Sequence, residues 1–359
     1  MSLTLLDKRP FNPNECMPWK GMRRCALTPD GIVFKYHDKD NTDLWEDGTQ
    51  VDWSDYENQG LNCMVEIPKF YYKKVGFNES EIDFENGHAW YISDTPATGF
   101  ELHPAFMRCR DKLCDDLTGE VKEVNYRYAP AFLGSIVNSK LRSLPNKLPQ
   151  TSITIGQARN YAKVNSNGWG ILDYNLYFAI QLLYLVEYGD YDSQTALGKG
   201  YVDGNSSEIN TGGTLQYGNH SFGEITGKNQ MSYRGIEDFW GNCVYWIDGF
   251  YYDSNYNILI GNKGFNNNGN GYTNHGKGAT SNISGYISDI QNNKNYGFVM
   301  STNNGSETTK LYDYGYLLSG CLPIAGGNWY NGSAAGAFSF YCGYSASASD
   351  SYISYSLTF

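Results

Sequence analysis

Basic residues are scarce in this chain. Lys and Arg number 27 against 38 Asp and Glu in 359 residues, giving a net charge of −11. Clustered Lys and Arg neutralise nucleic-acid phosphates, so the deficit argues against a nucleic-acid partner. Anionic membrane surfaces are disfavoured by the same sign. Long apolar runs are missing too. Leu176–Val186 is the longest and is interrupted by Gln181, too short to span a bilayer. The N-terminal residues MSLTLLDKRPFNPNEC show no basic segment followed by an apolar one, so no signal peptide is expected. Synthesis in a host cytoplasm is the expectation. The eight cysteines form no CxxC pair, and Cys109 and Cys114 have no His at zinc spacing. The five histidines form no HExxH, and no EF-hand spacing exists. A structural Ca²⁺ held by loop Asp, Asn and backbone oxygens stays open; no other cofactor is expected.

Aromatics, by contrast, reach 16%, with 31 Tyr and 8 Trp beside 40 Gly. Two readings follow. Tyr with Gly, Ser and Asn is the composition of antibody-like binding loops. It is equally that of a loop-rich β protein with Tyr on half-exposed strands. Residues 1–130 read as short strands and turns. Val65–Tyr72 is β-prone, with Pro68 indicating an edge or bulge, and Trp45–Trp53 carries an Asp-Gly turn. Thr154–Gln157 has capping-box spacing and predicts a helix to about Val164. Asp173 caps a second predicted helix, which runs to Tyr188 and stops at Gly189; Leu176, Ile180, Leu183 and Glu187 form its stripe. Residues 261–304 are rich in Asn and Gly and read as long surface loops. A soft boundary falls near Pro145–Gln150.

Residues 315–359 contain one charged side chain, Asp350. Alternation places Phe338, Phe340 and Cys342 on one face of a strand, and Ala337, Ser339, Tyr341 and Gly343 on the other. Ile353, Tyr355 and Leu357 likewise oppose Tyr352, Ser354 and Ser356. A strand pair built this way presents an apolar face to a core and a Tyr/Ser/small face outward. An ordinary half-buried hairpin has the same pattern.

Residues 235–249, GIEDFWGNCVYWIDG, resemble the G-(L/M)-x-D-M-x-G-N-V-W-E-W signature of the formylglycine-generating-enzyme type of C-type lectin fold. The terminal GGNWYNGSAAGAFSF…ISYSLTF resembles that family's G-G-S-W…G-x-F…S…I-G-F-R ending. Within the family it is most similar to the variable region of diversity-generating retroelement proteins, which include the phage major tropism determinant. The resemblance covers most of residues 60–359 and implies an α+β chain. A β-rich N-terminal region, 1–145, would serve tail attachment and oligomerisation. A C-type-lectin-type ligand-binding domain, 146–359, would pack two helices on small antiparallel sheets with long loops. Its variable-like segment would be 326–359.

Carried over position by position, the resemblance makes Tyr330, Ala334, Ser339, Tyr341, Gly343, Tyr344, Ala346, Asp350 and Tyr352 ligand-binding candidates. Trp240, Gly241, Asn242, Trp246, Trp329, Asn331, Gly332, Phe338 and Phe340 match scaffold positions. The enzyme branch uses a C-terminal cysteine pair; here Cys342 stands alone in its segment, with Cys321 before the GGNW turn, so no enzymatic activity is expected. Ser354-Tyr355-Ser356 replaces the final G-F-R and lacks its Arg. The implied function is a phage tail receptor-binding protein in the virion, diversified by a retroelement. Its partners would be a host cell-surface protein or glycan, other tail proteins, and its own copies in a homotrimer. The alternatives are an invariant structural tail protein or carbohydrate-binding module on the same fold, and, more remotely, an oxidase of the formylglycine-generating type.

Overall fold

The computed structural model describes residues 12–76, 88–204, 206–291, 293–309 and 311–359. Asp52 starts helix α1 (Trp53–Asn58) by accepting the N–H groups of Ser54 and Asp55. Helix α2 (Ile155–Lys163) opens on the capping box the spacing predicts: Thr154 Oγ1 accepts from Gln157 N, and Gln157 Oε1 from Thr154 N at 2.8 Å. Helix α3 (Tyr174–Tyr188) is capped by Asp173, which accepts from Leu176 N at 3.1 Å, and stops at Gly189 with φ 67°. The short α4 (Ser193–Ala196) follows.

A single apolar stripe is the expectation for α3, but every residue from Tyr174 to Leu185 is buried. The helix is covered from two sides. Phe178 meets Trp90 at 6.0 Å and His103 at 4.5 Å, both from the N-terminal region. Tyr177 stacks on Phe340, from the C-terminal segment, at 6.3 Å. The expected division at 145/146 therefore crosses one hydrophobic core, which also holds Trp19, Val65 and Phe106. Among the described residues, no helix is long and apolar enough to cross a membrane.

The fold is mixed, with few helices and many small, mostly antiparallel sheets. A four-stranded antiparallel sheet takes the order 33–36, 23–27, 62–68, 126–130. Pro68 ends an interior strand of this sheet rather than marking an edge or bulge, and its missing N–H falls at the last rung, opposite Tyr126. The largest sheet has six strands in the order 283–286, 314–317, 340–344, 322–325, 244–246, 353–354. Its 314–317/340–344 and 244–246/353–354 pairs are parallel. The expected pairing of the two C-terminal alternating stretches does not form. Phe340–Tyr344 lies between Tyr314–Leu317 and Leu322–Ala325, while Ile353–Ser354 sits at the far edge. The Asn/Gly-rich stretch is also not all loop: it supplies the strands Thr273–Lys277, Ile283–Tyr286, Asp289–Ile290 and Met300–Thr302.

Two buried ion pairs tie these layers together. Arg127 Nη2 donates to Asp173 Oδ2 at 2.5 Å, and Arg159 grips both oxygens of Asp248 at 2.7 and 2.8 Å. The first joins the N-terminal sheet to the cap of α3. The second joins α2 to Asp248, two residues beyond the strand that ends at Trp246.

Candidate functional site

The segment 326–339 is a series of turns fastened by groups outside it. Gln181 Nε2 on α3 donates to Ala337 O at 2.8 Å, and Tyr177 Oη donates to the same oxygen at 2.9 Å. On α4, Gln194 Nε2 reaches Gly332 O and Ala335 O, each at 2.7 Å, and Ser193 Oγ accepts from Ala337 N at 3.0 Å. Trp329 N donates to Asn242 O at 3.1 Å, and Gly332 N to Val202 O at 3.0 Å. Asp313 Oδ2 accepts from Phe338 N at 2.8 Å. Gly327, at φ 82°, lets the turns close: a Cβ there would lie 2.4 Å from Ala335 Cβ.

The expected scaffold residues lie around this segment. Trp240, Gly241, Asn242, Trp246, Trp329, Phe338 and Phe340 are buried, while Asn331 and Gly332 are half-buried. Trp240 Nε1 donates to Gly198 O at 3.0 Å. Asn242 spans Ile209 N and O at 3.0 and 3.1 Å and donates to Asp238 Oδ2 at 2.8 Å.

Of the expected ligand-binding residues, Tyr330 and Asp350 are exposed, and Ala334, Gly343, Tyr344, Ala346 and Tyr352 are half-buried. Ser339 and Tyr341 are not outward: they are 0% and 6% exposed. The strand begins only at Phe340, so Ser339 belongs to the preceding turn, where its Oγ donates to Tyr314 O at 3.2 Å. Tyr341 does oppose Phe340, but the sheet is covered on that face too. Its ring is floored by a second core cluster containing Trp246, Ile324 and Tyr355, and its hydroxyl donates to Ala334 O at 3.4 Å.

The structure builds a tyrosine face nonetheless, partly from residues the alternation argument missed. Across the sheet edge, Tyr286 pairs with Tyr314, and Tyr316 with Tyr341. Their rings run on continuously: Tyr286–Tyr314 at 5.2 Å, Tyr314–Tyr316 at 5.4 Å, Tyr316–Tyr341 at 5.2 Å. A bulge opposite Leu322 and Pro323 leaves Gly343 as the extra residue. Tyr344 thereby packs edge-on to Trp246 at 6.2 Å, and its hydroxyl lies 3.4 Å from that of Tyr352. Tyr330 stands at 83° to Tyr352, 6.1 Å away. Tyr316 lies within electrostatic reach of both Tyr330 and Tyr344, so the two groups adjoin. The missed tyrosines had a signal, the Tyr-Gly-Tyr-Leu alternation of residues 314–317.

Burial, the leading cause in each case, raises the phenols of Tyr316, Tyr341, Tyr344 and Tyr352 above the ordinary value, so all four are neutral hydroxyls at physiological pH. Charge appears at the margin, with Glu307 3.5 Å from Ser333 Oγ and with exposed Asp350. Among the described residues, none of these tyrosines bonds to or stacks on a Lys or Arg. Nor does any group of three or more His, Cys, Asp or Glu side chains among them suit a metal ion. Cys342 is less isolated than its segment implies: its Sγ donates to the O of Cys321, the residue just before the neighbouring strand, at 3.3 Å. Burial pushes the Cys342 thiol well up and the Cys321 thiol up as well.

Beneath the Gly241–Asn242 turn, burial and then the charge of Glu237 push the Asp238 carboxyl well above its ordinary range. The folded chain thus keeps a proton that the unfolded chain loses above about pH 4. This contribution to stability is complete in acid and is lost as pH rises. Asp238→Asn retains an oxygen for Gln230 and Asn242. Its stability relative to the parent should therefore increase from about pH 5 to about pH 8 in parallel thermal melts. A difference that does not change with pH would mean Asp238 is ionised in the folded state.

No protein-family model matches the chain, and no curated protein matches it. Among solved structures it is similar to the Major Tropism Determinant P3c variant, at 12% identity and a TM-score of 0.31, over 81% of this chain and 72% of that one. The M1 variant gives 12% identity and 0.30, over 81% and 71%. PvdO from Pseudomonas aeruginosa gives 10% identity and 0.29, over 83% and 94%.

Proposed function

We propose that this chain is a non-enzymatic binding protein of the tropism-determinant type, with a C-type-lectin-type fold, carried on a phage tail. Its tyrosine face engages a ligand on the host cell surface. One observation carries the reading: Tyr286, Tyr314, Tyr316, Tyr330, Tyr344 and Tyr352, from three strands and two flanking turns, form a partly exposed face around the buried ring of Tyr341, beside turns fastened from outside. Tyr supplies large amphipathic contact area with little rotamer entropy to lose, and a held backbone lowers the ordering cost of binding. A homotrimer would multiply weak single-site affinities through effective concentration.

The test is binding of purified protein to a panel of intact bacteria. On any strain the parent binds, Tyr330→Ala and Tyr352→Ala should bind less, and Tyr330→Ala, at an exposed position, should stay within about 0.5 kcal/mol of the parent's stability. Folded variants that bind as the parent does would remove this face from the function.

A further inference from the structure

We infer that the ligand of this face is a neutral glycan, an inference that rests on reading the face as a binding site. The first ground is charge. The hydroxyls are held neutral; Glu307 and Asp350 at the margin are acidic, and Lys199 and Lys228 beside the 326–339 turns are engaged with Asp203. Sialylated or phosphorylated ligands would meet like charge, and among the described residues no Lys or Arg bonds to or stacks on these tyrosines. A protein ligand relying on acidic anchors would find no complement there either.

The second ground is unused hydrogen-bonding capacity. Tyr344 and Tyr352 hydroxyls are 3.4 Å apart, Ser284 Oγ and Tyr314 Oη 3.5 Å, and Tyr286 Oη and Ser333 Oγ 3.2 Å. Strong O–H···O bonds are shorter, about 2.7–2.8 Å. Each hydroxyl can donate once and accept from others, so long hydroxyl pairs exchange readily for a ligand that brings several hydroxyls together.

The third ground is shape. Tyr330 and Tyr352 meet at 83°, forming a corner of two ring surfaces beside the Tyr344 hydroxyl. A pyranose has a flat C–H face that lies on one aromatic ring and a rim of hydroxyls that meets polar groups beside it. Tyr combines an apolar ring with a polar tip, so this corner offers both kinds of contact to one sugar.

The experiment uses immobilised oligosaccharides ending in galactose, glucose, mannose or N-acetylglucosamine, beside sialylated and phosphorylated ones. The parent should bind at least one neutral member and no acidic one. Its Kd should change less than about twofold between about 0.05 and about 0.5 M NaCl, because no ion pair is screened. Tyr352→Ala should weaken binding about tenfold and Tyr352→Phe by less, with Tyr352→Phe melting like the parent. Absence of binding to every neutral member, or preference for the acidic ones, overturns the glycan assignment. Neutral-glycan binding that persists unchanged in Tyr330→Ala and Tyr352→Ala overturns the assignment of the site instead. Intact cells separate the two levels. If these variants lose cell binding, yet periodate-treated cells still bind the parent and protease-treated cells do not, the face stands and its ligand is a protein.

Discussion

Replacing Phe338 by Ala should destabilise the chain by about 3–5 kcal/mol, the usual range for emptying the site of a buried aromatic ring. Phe338 is 1% exposed and meets three rings edge-on: Tyr191 at 4.8 Å, Phe298 at 5.3 Å and Tyr184 at 6.1 Å. These partners lie on α3, just before α4, and at the end of the Asn/Gly-rich stretch, elements unable to close together over the void without releasing the 326–339 turns. The same substitution in a loosely packed hairpin would cost far less. Equilibrium denaturant unfolding, read as a shift of midpoint at unchanged slope, measures the difference. A loss below about 1 kcal/mol would show that the turns do not seal this part of the core.

Asp173→Ala should be at least as damaging. It removes the cap of α3, worth about 1 kcal/mol. It also strands the buried Arg127 guanidinium, and breaking one side of a buried pair costs about 3–5 kcal/mol. Asp173→Asn keeps a capping oxygen while deleting the charge, so comparing the two variants separates the cap from the ion pair. Burial pushes the Asp173 carboxyl up, but the charges of Arg127 and Arg108 and two hydrogen bonds outweigh it and leave the group below its ordinary value. Its contribution is therefore present above the ordinary carboxyl range and lost as pH falls through the folded value. The gap between parent and Asp173→Asn should narrow in acid, in contrast to Asp238→Asn, whose relative stability rises toward alkaline pH. A gap that stays constant down to about pH 3 would mean that folding does not lower the Asp173 carboxyl.

The parts legible in the sequence were those set by local chemistry. Thr154 with Gln157, and Asp173 with Gly189, are short-range signals, and both helices begin and end where those residues direct. The tyrosine face was half legible. Tyr330, Tyr344 and Tyr352 reach it, yet Ser339 and Tyr341 do not point out. Two-fold alternation reports which residues share a face of a strand, but not where the strand begins or whether both faces are covered. Here the turn runs through Ser339, and the second core cluster fills the face that the alternation assigns to solvent. Tyr286, Tyr314 and Tyr316 escaped for a different reason. Their strands join the sheet through long-range pairing, and one lies in a stretch whose Asn and Gly content looks like loop. The shared core across 145/146 was hidden in the same way: α3 has no polar side from Tyr174 to Leu185, but only the three-dimensional packing shows what covers each flank.

The turns at 326–339 are held largely through their own main-chain atoms. Gln181, Tyr177, Ser193, Gln194 and Asp313 bond to the N–H and C=O groups of these residues, which almost any amino acid possesses. Exposed Tyr330 and half-buried Ala334 therefore contribute little to the shape of the loop that carries them. Their identity is free to change while the conformation persists, so one fold can present many different surfaces. Gln181 and Gln194 reach these main-chain groups from the helices, so a substitution at either should disturb every such surface at once.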